Sequence, residues 1–232
     1  MFGKHPIADS AFLLSDPARV SILTSLLGGE SRPAGELARL ASLSPQAATA
    51  HLSKMVDGGL LSYRRLGRHH YYQIAKPEVG LALEALAVLA PPPRRSLFSE
   101  SKSHRALRYA RTCYDHLAGQ LAIQIWDGLA ASKLITTDSG VPELTRRGED
   151  LVTEIGIDVP GLRLMKRPFT KTCLDWTERK HHLAGALGSA LLTRFREHGW
   201  VSKTLKSRAI RVTADGEKAL KELFSVSVNS RL

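Results

Sequence analysis

The sequence predicts a mainly helical fold with small β-hairpins, of the α+β class, divided between two domains. Three observations support this prediction. Apolar residues recur at helical spacing along much of the 232-residue chain. Short strand-like runs flank tight turns that contain glycine. A run of three prolines at 91–93 and the polar residues after it break the periodicity, so we predict a linker over residues 91–103 between domains at 1–90 and 104–232.

The composition excludes several classes of protein. Hydrophobic residues make up 43% of the chain and charged residues 24%, close to globular averages, which excludes a disordered or low-complexity chain. No apolar stretch reaches the roughly 18 residues that span a bilayer. Because the first residues also lack a signal-peptide pattern, we expect a cytoplasmic protein with no membrane partner. Two cysteines cannot form a multi-disulfide secreted scaffold.

The charge balance favours a polyanionic partner. Lys and Arg number 33 against 22 Asp and Glu, which gives a formal net charge of +11. Nucleic acid is the first partner that such a balance suggests, and an anionic membrane is the second. Many basic proteins bind neither, so the charge alone does not identify the partner, and the sequence motifs are needed to do so.

Each element of the N-terminal domain has a local signal. Asp16-Pro17 predicts a helix start, with Asp as the N-cap and Pro at the first helical position. A second short helix follows over Pro33–Ala41. Ser44-Pro45 predicts the start of a third helix, which ends at Gly58. Two strand-like runs and a helix rich in Leu and Ala complete the domain: Leu60–Arg65, His69–Ile74 and Pro77–Ala90.

Two short helices joined by Ser42-Leu43-Ser44 and followed by a basic hairpin form the winged helix-turn-helix pattern, which binds DNA. The second helix carries small or polar residues that suit the major groove, and glutamine can contact adenine through two hydrogen bonds. Arginines near the tip of the hairpin suit phosphates or the minor groove. The predicted DNA-binding residues are Ser44, Gln46, Ala47, Thr49, Ala50, His51, Lys54, Arg64, Arg65 and Arg68. The alternative is a helical protein whose charged hairpin is merely solvated.

Three segments, Leu14–Leu23, Leu43–Leu52 and Gly58–Leu61 with the hairpin after it, resemble the ArsR/SmtB family of winged-helix repressors. The resemblance covers about residues 10 to 90. It implies a homodimeric transcriptional regulator, usually a repressor that an effector releases, with a dimer interface built from the first helix and the Pro77–Ala90 helix. Many metal-sensing members carry a Cys-x-Cys ahead of the recognition helix, but Arg32–Leu37 contains no thiol and no histidine.

The C-terminal half contains an internal repeat, about residues 104–158 and 168–226. Three pairs of segments match in the same order: Thr112–Asp115 with Thr172–Asp175, His116–Gly119 with His182–Gly185, and Leu144–Glu149 with Val212–Glu217. We predict that each copy forms a helix–hairpin–helix unit. The long helices would run from about His104 to Ala131 and from Asp175 to Gly199, and Glu178 would complete a capping box with Asp175.

The predicted hairpins join Leu134–Ile135 to Val141–Leu144 and Trp200–Leu205 to Ala209–Val212. Thr145 and Thr213 would cap the closing helices.

The repeat places one cysteine and one histidine at matching positions of each copy. Cys113 and His116 are three residues apart, on one face of the predicted helix. If the copies pack about a pseudo-twofold axis, a tetrahedral set of two sulfurs and two nitrogens forms, which could hold a divalent metal ion: Cys113, His116, Cys173 and His182. The same proximity would permit a thiol–disulfide switch. Alternatively, the repeated cysteines only pack in the core, or the effector is a small organic molecule.

These observations predict a sequence-specific DNA-binding regulator rather than an enzyme. The chain contains no Ser/His/Asp pattern, P-loop or Gly-rich dinucleotide turn. We expect a homodimeric repressor on double-stranded operator DNA. A metal ion, thiol oxidation or a small molecule would act on residues 104–232 and shift the dimer to a geometry whose recognition helices no longer match half-sites about 34 Å apart. The alternatives are a Cys/His-dependent thiol enzyme or a ligand-free dimeric co-regulator, each fused to a DNA-binding domain.

Overall fold

A computed structural model of the chain describes residues 6–91, 102–204 and 207–226. These residues form two compact units, one that ends at Ala87 and one that begins at Val88. Most of the predicted linker, residues 92–101, lies outside the described residues, and Lys102 already begins a helix. The domain limits at residues 90 and 104 stay a prediction. No helix among the described residues is both long and apolar enough to cross a membrane.

The N-terminal unit is a winged helix-turn-helix. Its described residues form five helices and a small antiparallel sheet of order β1-β3-β2. The helices are α1 (Pro6–Leu14), α2 (Pro17–Ser25), α3 (Ala34–Leu40), α4 (Pro45–Asp57) and α5 (Pro77–Leu89). The strands are β1 (Arg32–Pro33), β2 (Leu61–Leu66) and β3 (His69–Ile74). Apart from α1 and β1, the elements of this unit are those that the local signals predict.

The two predicted helix caps are confirmed. A carboxylate oxygen of Asp16, Oδ1, accepts hydrogen bonds from the backbone N–H groups of Ala18 at 2.9 Å and Arg19 at 3.0 Å. At the start of α4, the Ser44 hydroxyl oxygen accepts a hydrogen bond from the Ala47 N–H at 3.2 Å. Proline occupies the first turn of both helices, where no N–H is required.

Arg19 fixes α1 to α2. Its side chain is buried, and the guanidinium donates hydrogen bonds to the backbone oxygens of Leu13 at 2.7 Å and Phe12 at 2.8 Å. The apolar faces of α2, α3 and α4 meet in a core of fully buried side chains: Ile22, Leu23, Leu26, Leu37, Leu52 and Met55. The opposite face of α4 therefore remains on the surface.

The C-terminal unit contains the order hairpin–helix–hairpin–helix twice, after an opening helix α6 (Lys102–Tyr109). The first set is β4 (Arg111–Cys113), β5 (His116–Ala118), α7 (Gln120–Ala131), β6 (Ile135–Thr136), β7 (Glu143–Leu144) and α8 (Arg146–Glu154). A short helix, α9 (Val159–Arg163), follows it. The second set is β8 (Lys171–Leu174), β9 (His181–Ala184), α10 (Gly185–Glu197), β10 (Val201–Lys203), β11 (Ile210–Val212) and α11 (Ala214–Phe224).

The predicted long helices are wrong. Residues 111–118 and 171–184 form hairpins, and the helices begin only at Gln120 and Gly185. Gly119 has a φ of +88°, outside the helical range, so the predicted helix cannot run through this position. A Cβ there would lie 2.6 Å from the Arg108 carbonyl oxygen. The predicted capping box at Asp175 is wrong as well, because the Asp175 carboxylate accepts the N–H groups of Thr177 and Glu178 inside the β8–β9 loop.

The later hairpins and both threonine caps are confirmed. Ile135 pairs with Leu144, and Val201 pairs with Val212. Leu205, which belongs to the predicted second hairpin, lies outside the described residues. The hydroxyl oxygens of Thr145 and Thr213 accept hydrogen bonds from the N–H groups of Gly148 and Gly216, at 3.2 Å and 3.0 Å.

The two sets of elements pack reciprocally. The helix α7 of the first set contacts β9 of the second, α10 of the second contacts β5 of the first, and β5 and β9 contact each other. One continuous apolar core joins the sets, with fully buried Leu121, Leu187, Leu220 and Phe224 among its members. The first hairpins of the two sets therefore lie side by side.

Candidate functional site

The exposed face of α4 carries most of the residues predicted to bind DNA. Gln46, Thr49, Ala50 and Lys54 are exposed, whereas Ala48, Leu52 and Met55 are buried. The Thr49 hydroxyl donates a hydrogen bond to the Pro45 carbonyl oxygen at 2.9 Å, within the helix. Small and polar side chains on an exposed helix face allow close approach to base edges in a major groove.

Three further residues of that prediction are placed differently. Ser44 is exposed, but its hydroxyl already caps α4. Ala47 and His51 are half-buried. The His51 Nδ1 atom lies 3.9 Å from the Asp16 carboxylate, so this ring leans toward the start of α2.

The hairpin of β2 and β3 presents Arg64, Arg65 and Arg68, all exposed. Its tip turns at Gly67, whose φ is +58°. The Arg65 Nε–H donates a hydrogen bond to the Gly67 carbonyl oxygen at 3.1 Å, which holds this side chain at the tip. Three exposed guanidiniums on one hairpin suit contact with a phosphate backbone.

The four sulfur and nitrogen ligands predicted from the repeat lie together. One candidate donor atom from each of Cys113, His116, Cys173 and His182 lies within 4.8 Å of all the others. The Nε2 atoms of His116 and His182 are 3.2 Å apart, and the ring centroids are 5.2 Å apart. We call these four residues the Cys–His cluster.

The local geometry of the cluster differs from the prediction. Cys113 and His116 do not share a helix face; they are paired across the two strands of the β4–β5 hairpin. Cys173 and His182 are paired in the same way across β8 and β9. Residues directly opposite each other in an antiparallel pair have Cβ atoms roughly 4.5–5.5 Å apart on one face of the hairpin, so each hairpin presents one thiol beside one imidazole.

The cluster is largely withdrawn from solvent. His116 is 6% exposed and His182 is 1% exposed, while both cysteines are half-buried. Contact with Cys173 and burial raise the pKa of the Cys113 thiol to about 11, and the two histidines only partly offset this rise. In this arrangement Cys113 is therefore a thiol at neutral pH.

Asp115 stands behind the first imidazole. Its carboxylate oxygen Oδ1 lies 3.4 Å from His116 Nδ1, and its Oδ2 accepts a hydrogen bond from Arg167 at 2.5 Å. Burial opposes ionisation of Asp115, but Arg167 and His116 together lower its pKa below the usual value.

Asp175 takes the matching place in the second hairpin. Its Oδ2 lies 4.0 Å from His182 Nδ1 and accepts hydrogen bonds from Arg111 at 2.9 Å and from the Gly119 N–H at 2.8 Å. The side chains of Arg111 and Asp175 are 1% and 0% exposed. Burial opposes ionisation of Asp175, yet Arg111 and the hydrogen bonds from Thr177 and the backbone bring its pKa down to about 2.

Sequence reasoning did not place the two carboxylates beside the imidazoles, although a signal was present. An aspartate follows each cysteine by two residues, at Asp115 and Asp175. In the helical segments that the sequence predicts, this spacing indicates helix capping. Once the segments form hairpins, the same aspartates lie next to the imidazoles.

Comparison with known proteins adds three findings. A family model described as a helix-turn-helix domain matches residues 14–64. The uncharacterized HTH-type transcriptional regulator YdfF of Bacillus subtilis (strain 168) is 41% identical over 222 residues, which is 96% of this chain and 98% of that protein. A probable mercury resistance operon repressor of Streptomyces lividans is 36% identical over 77 residues, 32% of this chain and 61% of that protein.

Among solved structures, NolR from Sinorhizobium fredii is similar, with a TM-score of 0.34 and 33% identity. The likeness covers 36% of this chain and 83% of that chain.

Proposed function

Because the chain belongs to the HTH-type transcriptional regulators and carries an ArsR-type winged helix, we propose that it is a homodimeric repressor whose C-terminal unit senses an effector. Its relatives indicate transcriptional regulation rather than catalysis. The observation that carries the DNA-binding part of the proposal is the exposed polar face of α4 beside an arginine-rich hairpin.

In this proposal α4 reads bases and the wing, which is the β2–β3 hairpin, positions the protein. Gln46 and Thr49 are exposed in the first half of α4, and both can form hydrogen bonds to base edges. Arg65 and Arg68 lie on the wing, where contact with phosphate gives affinity without sequence preference. Lys54, in the last turn of α4, adds a further positive charge next to the duplex.

The helix predicted to form the dimer interface with the Pro77–Ala90 helix is α2, whose largest apolar side chains are buried in the core. The exposed apolar residues of α1 and α5 are the ones that suit a second copy of the chain. Ile7 and Phe12 on α1 are 71% and 68% exposed, and Leu86 on α5 is 48% exposed. Exposed apolar surface can mark a protein–protein interface, and we propose that these side chains contribute to one. A symmetric dimer through these helices would present two copies of α4 to two half-sites.

The Cys–His cluster is the proposed place of effector action. It joins two hairpins that belong to different halves of the C-terminal unit, so a change in its bonding changes how those halves are held together. An effector with different affinity for two arrangements shifts the population between them, and the DNA-binding geometry shifts with it. Although the Streptomyces lividans relative is named for mercury resistance, its similarity covers 32% of this chain, so this proposal rests on the cluster itself.

The DNA-binding proposal is tested by selecting sites from a random duplex pool with the full-length protein. We expect enrichment of a two-fold symmetric sequence and binding of two chains per duplex. The variant Leu86→Glu should weaken both dimerisation and DNA binding, because it places a charge on the proposed interface. No enrichment over scrambled DNA, or binding of one chain per site, would contradict the proposal.

The sensor proposal is tested by measuring operator affinity of the wild type, Cys113→Ser and Cys173→Ser with and without Zn²⁺ and with and without peroxide. Because a metal site and a disulfide each need both thiols, either variant should abolish the response. Identical responses of all three proteins would show that the cysteines only pack in the core. A response to neither treatment would favour an organic effector or a ligand-free co-regulator.

A further inference from the structure

We propose that the Cys–His cluster is one tetrahedral site for a thiophilic divalent cation such as Zn²⁺, and that Asp115 and Asp175 act as positioning residues behind its two imidazoles. The ion would be the effector that acts on this cluster, and its role in regulation rests on the proposed function. The existence of the site rests on the geometry of the C-terminal unit alone.

The dimensions of the cluster fit a tetrahedral ion. Zn–N bonds of about 2.0–2.1 Å and Zn–S bonds of about 2.3 Å place two nitrogen ligands about 3.3 Å apart and two sulfur ligands about 3.8 Å apart. The Nε2 atoms of His116 and His182 are 3.2 Å apart, and all four donor atoms lie within 4.8 Å of one another. The longest separation therefore has to contract by only about 1 Å, by the same bond lengths.

The chemistry of the donors selects the class of ion. Two thiols and two imidazoles form the Cys2His2 set of structural zinc sites, and thiolate ligands disfavour hard ions such as Mg²⁺ and Ca²⁺. Each hairpin supplies one sulfur and one nitrogen from a directly opposed pair of residues. One ion would thus bridge the two halves of the unit, and neither hairpin alone could complete its coordination.

The orientation of His116 also points to a cation. Its Nδ1 atom lies 3.4 Å from a carboxylate oxygen of Asp115, within reach of a hydrogen bond in which the Nδ1–H donates. In the imidazole tautomer that donates from Nδ1, the Nε2 atom of His116 has a free lone pair on the side that faces His182 Nε2. Metal-ligating histidines commonly donate their other ring N–H to a carboxylate in this way.

The second imidazole has a similar but looser arrangement. His182 Nδ1 is fully buried without a hydrogen-bond partner, and a carboxylate oxygen of Asp175 lies 4.0 Å away. Buried polar atoms are normally hydrogen-bonded. Drawing His182 toward a shared ion, and its Nδ1 toward Asp175, would satisfy both ring nitrogens.

The local charges are balanced for a divalent ion. Asp115 is paired with Arg167 and Asp175 with Arg111, so neither carboxylate brings an uncompensated charge to the cluster. Two thiolates then neutralise one divalent cation. Because charge burial is costly unless it is compensated, a neutral assembly suits histidines that are 6% and 1% exposed.

The test titrates the reduced full-length protein with Co²⁺, which reports coordination spectroscopically, and then with Zn²⁺ as competitor. We expect one Co²⁺ per chain, the intense visible absorption of a tetrahedral complex and a thiolate-to-cobalt charge-transfer band, all removed by Zn²⁺. Cys113→Ser and His182→Gln should weaken binding by more than about 100-fold, beyond the roughly 10–100-fold typical for loss of an outer hydrogen bond. The matched control is His181→Gln, an exposed histidine adjacent to His182 on β9, which should bind Co²⁺ as the wild type does.

The positioning role has its own readout. Asp115→Asn should weaken Co²⁺ binding by about 10–100-fold while the tetrahedral spectrum persists, because all four ligands remain. A wild-type affinity in this variant would overturn the positioning role, and loss of the tetrahedral spectrum would show that Asp115 itself is a ligand.

Thiol alkylation of the wild type tests the metal site even if the variants fail to fold. Zn²⁺ should protect both thiols of the folded protein from alkylation, and Mg²⁺ should not. Equal alkylation with and without Zn²⁺, together with no Co²⁺ spectrum, would overturn the metal site and leave the DNA-binding proposal intact. Metal binding with unchanged operator affinity would instead confirm the site and refute its role as the sensor.

Discussion

The imidazoles of His116 and His182 face each other with 3.2 Å between their Nε2 atoms, although 66 residues separate them along the chain. The reciprocal packing of α7 on β9 and of α10 on β5 brings them together. Gly188 of α10 contributes to this approach, because a Cβ at that position would lie 2.7 Å from the Leu183 carbonyl oxygen and 3.4 Å from His116 Cβ. The cluster is therefore a product of how the two halves pack.

The first prediction concerns base recognition by α4. Gln46→Ala and Thr49→Ala should each cost about 1–3 kcal/mol of binding free energy for the selected operator and leave binding to scrambled DNA unchanged. Thr153→Ala is the matched control, since Thr153 is exposed on α8 and its hydroxyl donates to the Glu149 carbonyl oxygen as that of Thr49 does to Pro45. Fluorescence anisotropy measures the affinity of each variant for the operator and for scrambled DNA. Equal discrimination between the two duplexes by all variants would contradict the assignment of α4 as the recognition helix.

The second prediction concerns the wing. Arg65→Ala and Arg68→Ala should weaken binding to every duplex alike. Each should also flatten the slope of log affinity against log salt concentration by roughly one unit, because binding releases fewer counterions when one phosphate contact is lost. Arg146→Ala serves as control, because this arginine is 86% exposed on α8 and pairs with Asp150. A wing variant with the slope of the Arg146 control would place the hairpin away from the phosphates.

Local signals were sufficient to predict most of the N-terminal unit. The caps at Asp16 and Ser44 are formed by side chains that bond to N–H groups two or three residues away, so sequence alone specifies them. The recognition helix then follows from its buried and exposed faces. The sequence just before α1 holds no Ser, Thr, Asp or Asn to signal a helix start, and the link of α1 to α2 depends on the buried side chain of Arg19.

The hairpins of the C-terminal unit could not be predicted in the same way. Strands of three or four residues, such as Arg111–Cys113, are too short to show a period of two, and the apolar residues around them also fit a helix. The informative signal was the glycine that ends each hairpin, Gly119 and Gly185, with φ of +88° and +83°. The four residues of the cluster could nevertheless be predicted. The internal repeat matches Cys113 with Cys173 and His116 with His182, and this match does not depend on their secondary structure.

The third prediction concerns the glycine of the Thr-x-x-Gly segment that occurs in both halves of the C-terminal unit. A Cβ at Gly148 would lie 2.0 Å from the Leu134 carbonyl oxygen, and one at Gly216 would lie 2.0 Å from the Trp200 carbonyl oxygen. Gly148→Ala and Gly216→Ala should therefore each lower the free energy of unfolding by about 1–3 kcal/mol, as overpacking does.

The control for these two variants is Gly35→Ala. Gly35 lies in α3, and no heavy atom lies within 4 Å of the position that an added Cβ would take, so alanine should be neutral or stabilise by up to about 1 kcal/mol. Urea denaturation of the three variants provides the measurement. Unaltered stability of Gly148→Ala would show that α8 can move away from Leu134 at no cost.

The last prediction concerns the buried ion pair of Arg111 and Asp175. Asp175→Asn should destabilise the C-terminal unit by about 3–5 kcal/mol, because it leaves the Arg111 guanidinium buried without its counter-charge. The exposed pair of Arg146 and Asp150 is the control, with side chains 86% and 63% exposed. Asp150→Asn should change stability by no more than about 0.5 kcal/mol.

Acid titration separates loss of this charge from loss of shape. Asp175 has a pKa of about 2 in the folded protein, below its usual value of 3.8, so the folded state favours the ionised form. The resulting stabilisation is fully present above the unfolded pKa and is lost as pH falls from about 4 to about 2. The wild type should therefore lose more stability than Asp175→Asn over that interval, so that the two unfolding curves converge in acid. Parallel curves would show that Arg111 is held by its other contacts, such as the Trp176 ring 5.6 Å from its guanidinium carbon, and that the Asp175 charge contributes little.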